Sequence, residues 1–575
     1  MSRLILGVHP GVHDAAAALF EDYKLVAAVS LERITRKKGD GTAHPDRAID
    51  EVLAIAGKTR SNVDVIAYSR SVFDQGYFTH LKGSRWLKIQ FRAHVLGKKR
   101  IWIGVEMQRE HTLHAEDVFD LASFQSDGNF RPDAEVAFYN HHEAHALPTL
   151  FYSPDWRDAF LATADGGGDN VCHSYRHFAG GELKTIYGGD DCLFVPLAFD
   201  SLAMAYGSAT KALGFMRNRH EGKLTGLAAM GDPKAAAEIA SRFSVDDGGR
   251  IRSTIPNTHA VNVLMRKLAG SMSREDFAAS IQKVAEDVTL LSLQRMLKAH
   301  PSRNLGLSGG LFANVKLNRL LAETLPLDEL FIFPAMGDEG LPVGGVLAYL
   351  LQRDGLKAWL DHRHPLGPVY LGRDYTDAID THLAGLKGVR LTGEPAVDGA
   401  VKRLKAGQLG AIYTGRMEYG PRALGARTIL ANPARRETHD LLNERLSRSE
   451  FMPFAPVVTD RRAADVFDVT KVNARACRYM TIACGVKDAW RAKIPAVVHV
   501  DGSARPQIIA REDNPLYYDI IEGFERATGL AALVNTSFNV HEEPIVDTPA
   551  QCAKALTDGR VDFIVTTRGL YDYLR

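Results

Sequence analysis

At 575 residues the chain is too long for one ordinary core, so two or more domains are expected. Its 45% hydrophobic and 24% charged residues are the proportions of a soluble globular enzyme. Lys plus Arg number 70 against 69 for Asp plus Glu, and that net charge of +1 gives no support for general nucleic-acid or membrane binding.

The opening "MSRLILGVHPGVHDAAAALF" has one Arg and a Pro-Gly break where a signal peptide needs a continuous apolar core. It reads as strand (Leu4–Val8), glycine-rich hairpin turn and strand (Ala15–Leu19), followed by a third strand in "KLVAAVSLER". The stretch 81–100 is basic with aromatics interleaved, which suits a solvated helical face with a packed apolar side. A docking surface for an anionic acceptor is the other reading of it. "AEVAFY" is strand-like and runs into "HHEAH" at 141–145. Strand and glycine turn recur in "DAFLATADGGGDNVCHSYRH" and in "NLGLSGGLFANVKLNRLLAE". Between them, "DFAASIQKVAEDVTLLSLQRMLKAH" spaces its apolar residues by three and four, a helix.

A Gly-, Pro- and charge-rich stretch around 352–372 reads as a linker, which divides the chain into 1–360 and 361–575. The second part has its own strand and helix pattern. Five scattered cysteines without CxxC spacing form no disulfide or zinc framework, so a reducing cytoplasm is expected. No apolar run approaches a membrane span. Alternating strands and helices with glycine turns at strand ends imply an α/β protein whose loops hold a ligand.

Three such turns, "GVHPGVHD" (7–14), "DGGGDN" (165–170) and "LSGGLFAN" (307–314), let backbone amides approach phosphate oxygens. They nominate Gly166, Gly167, Gly309 and Gly310, and Asn314 at a helix start. Paired glycine hairpins of this kind resemble the two-subdomain, actin-like ATPase superfamily. His141 and His145 lie four apart, so on a helix they share a face and can offer two nitrogens to one divalent metal. A helix start with an accidental cluster is the alternative. Asp165 and Asp338 lie at strand-end glycine turns, where the two halves of an α/β cleft converge, and would complete a His2Asp2 set. Such ligation suits iron, manganese or zinc. In "GRMEYGPRALGAR", Arg416, Arg422 and Arg427 crowd onto a Gly- and Pro-stiffened turn, with Arg505 on a distant loop. These are guanidinium forks for a phosphate dianion, or surface ion pairs.

Eight motifs in order, "HDAAAAL", "HHEAHA", "HEGKLTGLA", "SGGLFANVKLN", "GDEGLPVGG", "GRMEYGPRALGARTILANP", "DGSARPQ" and "NTSFNVHEEPIV", together resemble the O-carbamoyltransferase family. That family includes the nodulation-protein-U type and the antibiotic-tailoring enzymes. The resemblance implies an N-terminal domain similar to tRNA threonylcarbamoyl transferases and a YrdC-like C-terminal α/β domain. It places His141, His145, Asp165 and Asp338 on the family's metal positions, with iron expected, and His13 on its carbamoyl-transfer histidine. It also places Arg416, Arg422, Arg505, Asn535 and Ser537 on or near carbamoyl phosphate and ATP contacts. One segment departs: "LLNERLSRSEFMPFAP" has Leu446 and Met452 where the family carries basic groups, which leaves Arg445 and Arg448 to supply charge.

The expected reaction has two steps. Carbamoyl phosphate and Mg2+-ATP form carbamoyl-adenylate in the C-terminal domain. The carbamoyl group then passes to a hydroxyl of a sugar, an antibiotic or a lipid-linked saccharide. His13, followed by Asp14, would take the hydroxyl proton, and Lys223 would face the adenylate phosphate. A tRNA threonylcarbamoyl transferase is the rival, though near-neutral charge argues against a dedicated nucleic-acid partner. An actin-like switch would leave the histidines and arginines without a job, and a metallopeptidase would need H-E-x-x-H.

Overall fold

A computed structural model describes residues 2–41, 44–70, 119–195, 198–447 and 453–574, with 77, 87, 91–97 and 114–115. Most of the basic stretch 81–100, and both Arg448 and Met452, lie outside the described residues.

The first half is built twice on one plan. Strands β1 (Leu4–His9), β2 (Ala16–Glu21), β3 (Lys24–Ser30), β4 (Val65–Ser69) and β5 (Glu135–Tyr139) form a sheet in the order β3-β2-β1-β4-β5. β1 is antiparallel to β2 and β2 to β3, whereas β1–β4 and β4–β5 are parallel. Next come β6 (Ala159–Gly168), β7 (Val171–Ala179) and β8 (Glu182–Tyr187), a small hairpin of β9 (Phe243–Val245) and β10 (Ile251–Ser253), then β11 (Asn304–Ser308) and β12 (Glu329–Ile332). Their sheet runs β12-β11-β6-β7-β8, with β6–β7–β8 antiparallel and β6–β11–β12 parallel. Two sheets of identical order and sense are the actin-like, two-subdomain α/β architecture that the paired hairpins led us to expect. Covered on both faces, β1 is buried at all six positions, which explains its nearly continuous apolar run. One detail differs from the sequence reading: the end of "KLVAAVSLER" leaves the strand, and Leu31–Thr35 form a helical turn.

Helices His141–Phe151 and Leu341–Asp361 pack against each other and against β6 and β1 respectively. Their approach depends on Gly344, where a β-carbon would lie 1.7 Å from the Ala144 carbonyl oxygen. The contact brings together the helix with the histidine cluster and the helix that begins just after Asp338.

The second half opens with β13 (Tyr370–Asp374), which pairs with β16 (Arg416–Glu418). Its main sheet has eight strands: β14 (Val389–Leu391), β15 (Gly410–Tyr413), β17 (Arg427–Ala431), β18 (Ala455–Thr459), β21 (Gln507–Ile509), β22 (Ala532–Ser537), β23 (Phe563–Val565) and β24 (Leu570–Tyr573). The order is β14-β24-β23-β15-β17-β22-β18-β21, with the short ribbon of β19 (Cys484–Gly485) and β20 (Ser503–Ala504) beside it. The apolar core crosses the junction, since Tyr419, Tyr479 and Met480 belong to the same cluster as Tyr152, Phe331 and Phe333. Burial across this seam holds the two halves in register.

Candidate metal centre and active site

Asn140 ends the turn after β5 and caps the next helix, its side chain accepting from the Glu143 amide. The helix therefore starts at His141, which puts His141 and His145 on one face and His142 on another. His142 is wholly buried, with Nδ1 2.7 Å from Thr163 Oγ1 and Nε2 3.1 Å from the Val171 carbonyl. Burial holds its pKa well below the usual imidazole range, so it pins the helix to the second sheet as a neutral ring. The His141 amide donates to Asp169 Oδ2 at 2.6 Å. Gly168 leaves room for the His141 ring, because a β-carbon there would lie 2.2 Å from it.

The four nominated ligands meet. One ligand atom from each of His141, His145, Asp165 and Asp338 lies within 4.8 Å of the other three. His145 Nε2 is 3.6 Å from Asp165 Oδ2 and 3.5 Å from Asp338 Oδ1, and His141 Nε2 is 3.8 Å from Asp338 Oδ1. His141 Nε2, His145 Nε2 and Asp338 Oδ1 are buried with no hydrogen-bond partner. Three orphaned ligand atoms converging from two elements are expensive unless a ligand satisfies them, and a divalent cation suits imidazole nitrogen and carboxylate oxygen together. The donor set thus fits a metal. Asp165 is further held by the Gly310 amide, 2.7 Å from Oδ2, which ties the two glycine turns of the second sheet together.

Two histidines of the first glycine turn join the centre. His13 Nδ1 is 2.9 Å from Asp14 Oδ2, and its Nε2 is 3.8 Å from Asp338 Oδ2. His9 was not nominated from the sequence. Its Nε2 lies 3.6 Å from Asp338 Oδ2, and neither of its ring nitrogens has a hydrogen-bond partner. The signal available was the repeat of histidine at positions 9 and 13 within one turn. Burial alone would raise the Asp338 carboxyl, but the surrounding imidazoles, His145 and His9 first, hold it well below the carboxylate range. For His13, burial pulls the pKa down, and the Asp14 hydrogen bond with the fields of Asp338 and Asp165 overcomes that, raising it to about 10. Burial lowers His141, against the pull of Asp338. Burial, with Asp14 and Asp338 close by, pushes Glu339 up to about 8.

The remaining nominated residues divide. Gly166 and Gly167 continue β6 beside Asp165, and Gly309 and Gly310 follow β11. Lys223 is buried on the helix Glu221–Ala228. Asn314 is already committed: Oδ1 caps the helix Val315–Thr324 through the Leu317 amide, and Nδ2 donates to Gln282.

In the second half, Asn535 Nδ2 donates to Gln507 Oε1 at 2.7 Å and to the Ala423 carbonyl at 3.2 Å, so β21, β22 and the loop before β17 close on one point. Arg422 and Arg505 flank that junction in sequence and are partly exposed, and Ser537 ends β22 with Oγ donating to Asn539. Arg416 and Arg427 face inward. The Arg416 guanidinium donates to the carbonyls of Gly372, Leu371 and Val26. Arg427 is wholly buried, stacks 3.7 Å over the Tyr413 ring and donates to the carbonyls of Thr414, Ala426 and Gly415. The sequence expectation placed all three arginines of this motif at a phosphate; here the Arg416 guanidinium and the Nη groups of Arg427 donate to backbone carbonyls, and Arg427 Nε has no hydrogen-bond partner. Arg445, considered as a source of displaced charge, is bound to the Gly559 carbonyl and to Asp562.

Fold and site together define a two-part α/β protein in which a cleft between duplicated subdomains carries a histidine–carboxylate centre. Residues 4–347 match the family described as carbamoyltransferase N-terminus and residues 401–572 that described as carbamoyltransferase C-terminus, so the chain belongs to the carbamoyltransferase family and is a carbamoyltransferase. It is 32% identical over 584 residues to nodulation protein U of Sinorhizobium fredii, covering 97% of each chain. It is 30% identical over 572 residues to nodulation protein NolNO of the same organism, covering 96% of this chain and 78% of that one. Among solved structures, a ROK hexokinase from Thermus thermophilus overlaps 61% of this chain and 100% of its own at 14% identity and a TM-score of 0.32. No helix among the described residues is long and apolar enough to cross a membrane.

Proposed function

We propose that this carbamoyltransferase is ATP-dependent, forms carbamoyl-adenylate in its C-terminal half (361–575) and delivers the carbamoyl group to an alcohol in its N-terminal half (1–360). The observation that carries the reading is the convergence of His13 and the four-residue donor set in the cleft of an actin-like domain whose chain continues into a second α/β unit.

In the first step, water removes phosphate from carbamoyl phosphate, and the resulting carbamate oxygen attacks the α-phosphorus of Mg2+-ATP and displaces pyrophosphate. Arg422 and Arg505 grip the phosphate groups, with Asn535 and Ser537 beside them. In the second step, the acceptor oxygen attacks the carbamoyl carbon and AMP leaves. The Nδ1–H of His13 donates to Asp14; a divalent cation in the donor set would offset the Asp338 and Asp165 fields that hold His13 protonated, and Nε2, facing Asp338, would then take the hydroxyl proton. His141, His145, Asp165 and Asp338 hold a divalent metal, iron by family resemblance with manganese and zinc suiting the same donors, which supplies Lewis-acid polarisation of an oxygen in the cleft. Lys223 and the turns at Gly166, Gly167, Gly309 and Gly310 face the adenylate. The acceptor is a small hydroxylated molecule such as a sugar or an antibiotic, or a lipid-linked saccharide, met in the cytoplasm.

Two variants separate the steps. His13→Ala is expected to abolish carbamate formation on candidate alcohols, read by mass spectrometry, while keeping carbamoyl-phosphate-driven ATP–pyrophosphate exchange. Arg505→Ala is expected to lose that exchange. Loss of the same half-reaction in both variants would refute the division of labour.

A further inference from the structure

Two segments 322 positions apart meet across the seam between the halves. From the N-terminal half comes His220, the residue that opens the helix Glu221–Ala228 bearing Lys223. From the C-terminal half comes the segment 541–545, which follows β22. His220 Nε2 is 2.5 Å from Glu542 Oε1, with Arg219 Nη1 3.7 Å from Oε2 and His541 Nε2 3.3 Å from Oε1. Beside them, Arg36 donates to the carbonyls of Ile545 at 2.8 Å and Pro544 at 2.7 Å, so the first glycine turn's neighbourhood grips the same segment.

Two features mark the pair as built for this contact. Glu542 has φ +64, a left-handed conformation unfavourable for any residue with a β-carbon unless its surroundings impose it. The Met216 amide donates to His220 Nδ1 at 3.1 Å, so the ring proton of the neutral imidazole is on Nε2 and points at Glu542. That tautomer also argues against the three side chains as a second cation site, since a metal at Nε2 needs the lone pair the proton occupies.

We infer that His220 and Glu542 are positioning residues that clasp the Lys223 helix to the C-terminal half, so that the activated carbamoyl group passes between the halves without meeting water. This rests on the two-step reading above. A mixed anhydride is lost to water when its path opens: water attacks the carbamoyl carbon, AMP leaves, and the carbamate decays to carbon dioxide and ammonia.

The test uses the full chain with ATP and carbamoyl phosphate and no acceptor, following pyrophosphate exchange and AMP release together. Glu542→Gly removes the clasp and also the backbone strain. It is expected to melt no lower than the parent, keep exchange, and release AMP about tenfold faster, the factor of one charge-assisted hydrogen bond. His220→Ala should follow it. His220→Gln, which keeps a donor and an acceptor, should restore slow release. Unchanged AMP release in both Glu542→Gly and His220→Ala overturns the clasp. So does an equivalent of Zn2+ bound by the parent and lost in His220→Ala. Absence of exchange in the parent itself would instead remove the two-step reading on which the clasp rests.

Discussion

Asp338→Asn perturbs one carboxylate that faces four imidazoles: His145 at 3.5 Å, His9 at 3.6 Å, and His13 and His141 at 3.8 Å. At a separation of 3.8 Å, two unit charges interact by about 1 kcal/mol in water and about 4 kcal/mol at an effective dielectric near 20. The His13 side chain is 32% exposed, so the lower part of that range applies, about 1–2 kcal/mol or roughly one pKa unit. In metal-stripped protein, His13 is held at about 10, against its burial, by the Asp14 hydrogen bond and the fields of Asp338 and Asp165. The substitution is therefore expected to lower its pKa by about one unit.

The sign of the stability effect follows. A histidine whose folded pKa is raised contributes stability that is complete below its unfolded value of 6.5 and lost as pH rises through about 10. Between pH 6.5 and 10 the parent should lose about 1–2 kcal/mol more than the variant. Histidine-ring NMR, with His13→Gln to assign the resonance, gives the pKa, and urea unfolding at the two pH values gives the stability. A His13 resonance titrating at the same pH in both proteins would show the reasoning to be wrong. The same logic predicts that adding a divalent cation to the parent lowers the His13 pKa, because the charge cancels the carboxylates that hold it up.

Two further outcomes are expected. Gly344→Ala forces a β-carbon onto the Ala144 carbonyl, so the two site-bearing helices must separate; about 1–3 kcal/mol of stability should be lost in urea melts, and calorimetric affinity for a divalent metal should fall with it. Arg427→Lys loses the stack on Tyr413 and part of a three-carbonyl fork, which should cost about 2–3 kcal/mol while the folded fraction keeps pyrophosphate exchange. Exchange lost in a fully folded Arg427→Lys protein would instead return that arginine to the phosphate site.

What the sequence settled about this protein is what local pattern controls. Strand β1 follows from an apolar run, and four-residue spacing alone puts His141 and His145 on one face of a helix. Asp165 and Asp338 were legible because glycine turns at strand ends in an α/β protein converge on one cleft. Only the tertiary structure decided which way the long side chains turn and which distant groups meet. Arg416 and Arg427 look alike in sequence to an arginine that grips phosphate, and only the fold shows backbone carbonyls, including Val26 from the other half, taking hydrogen bonds from them. His9 became part of the centre, and His220 found Glu542, because packing across the seam brings together residues whose separation in sequence carries no trace of their distance in space. A guanidinium or an imidazole is satisfied by whatever donor or acceptor lies within its reach, and that identity belongs to the folded surroundings.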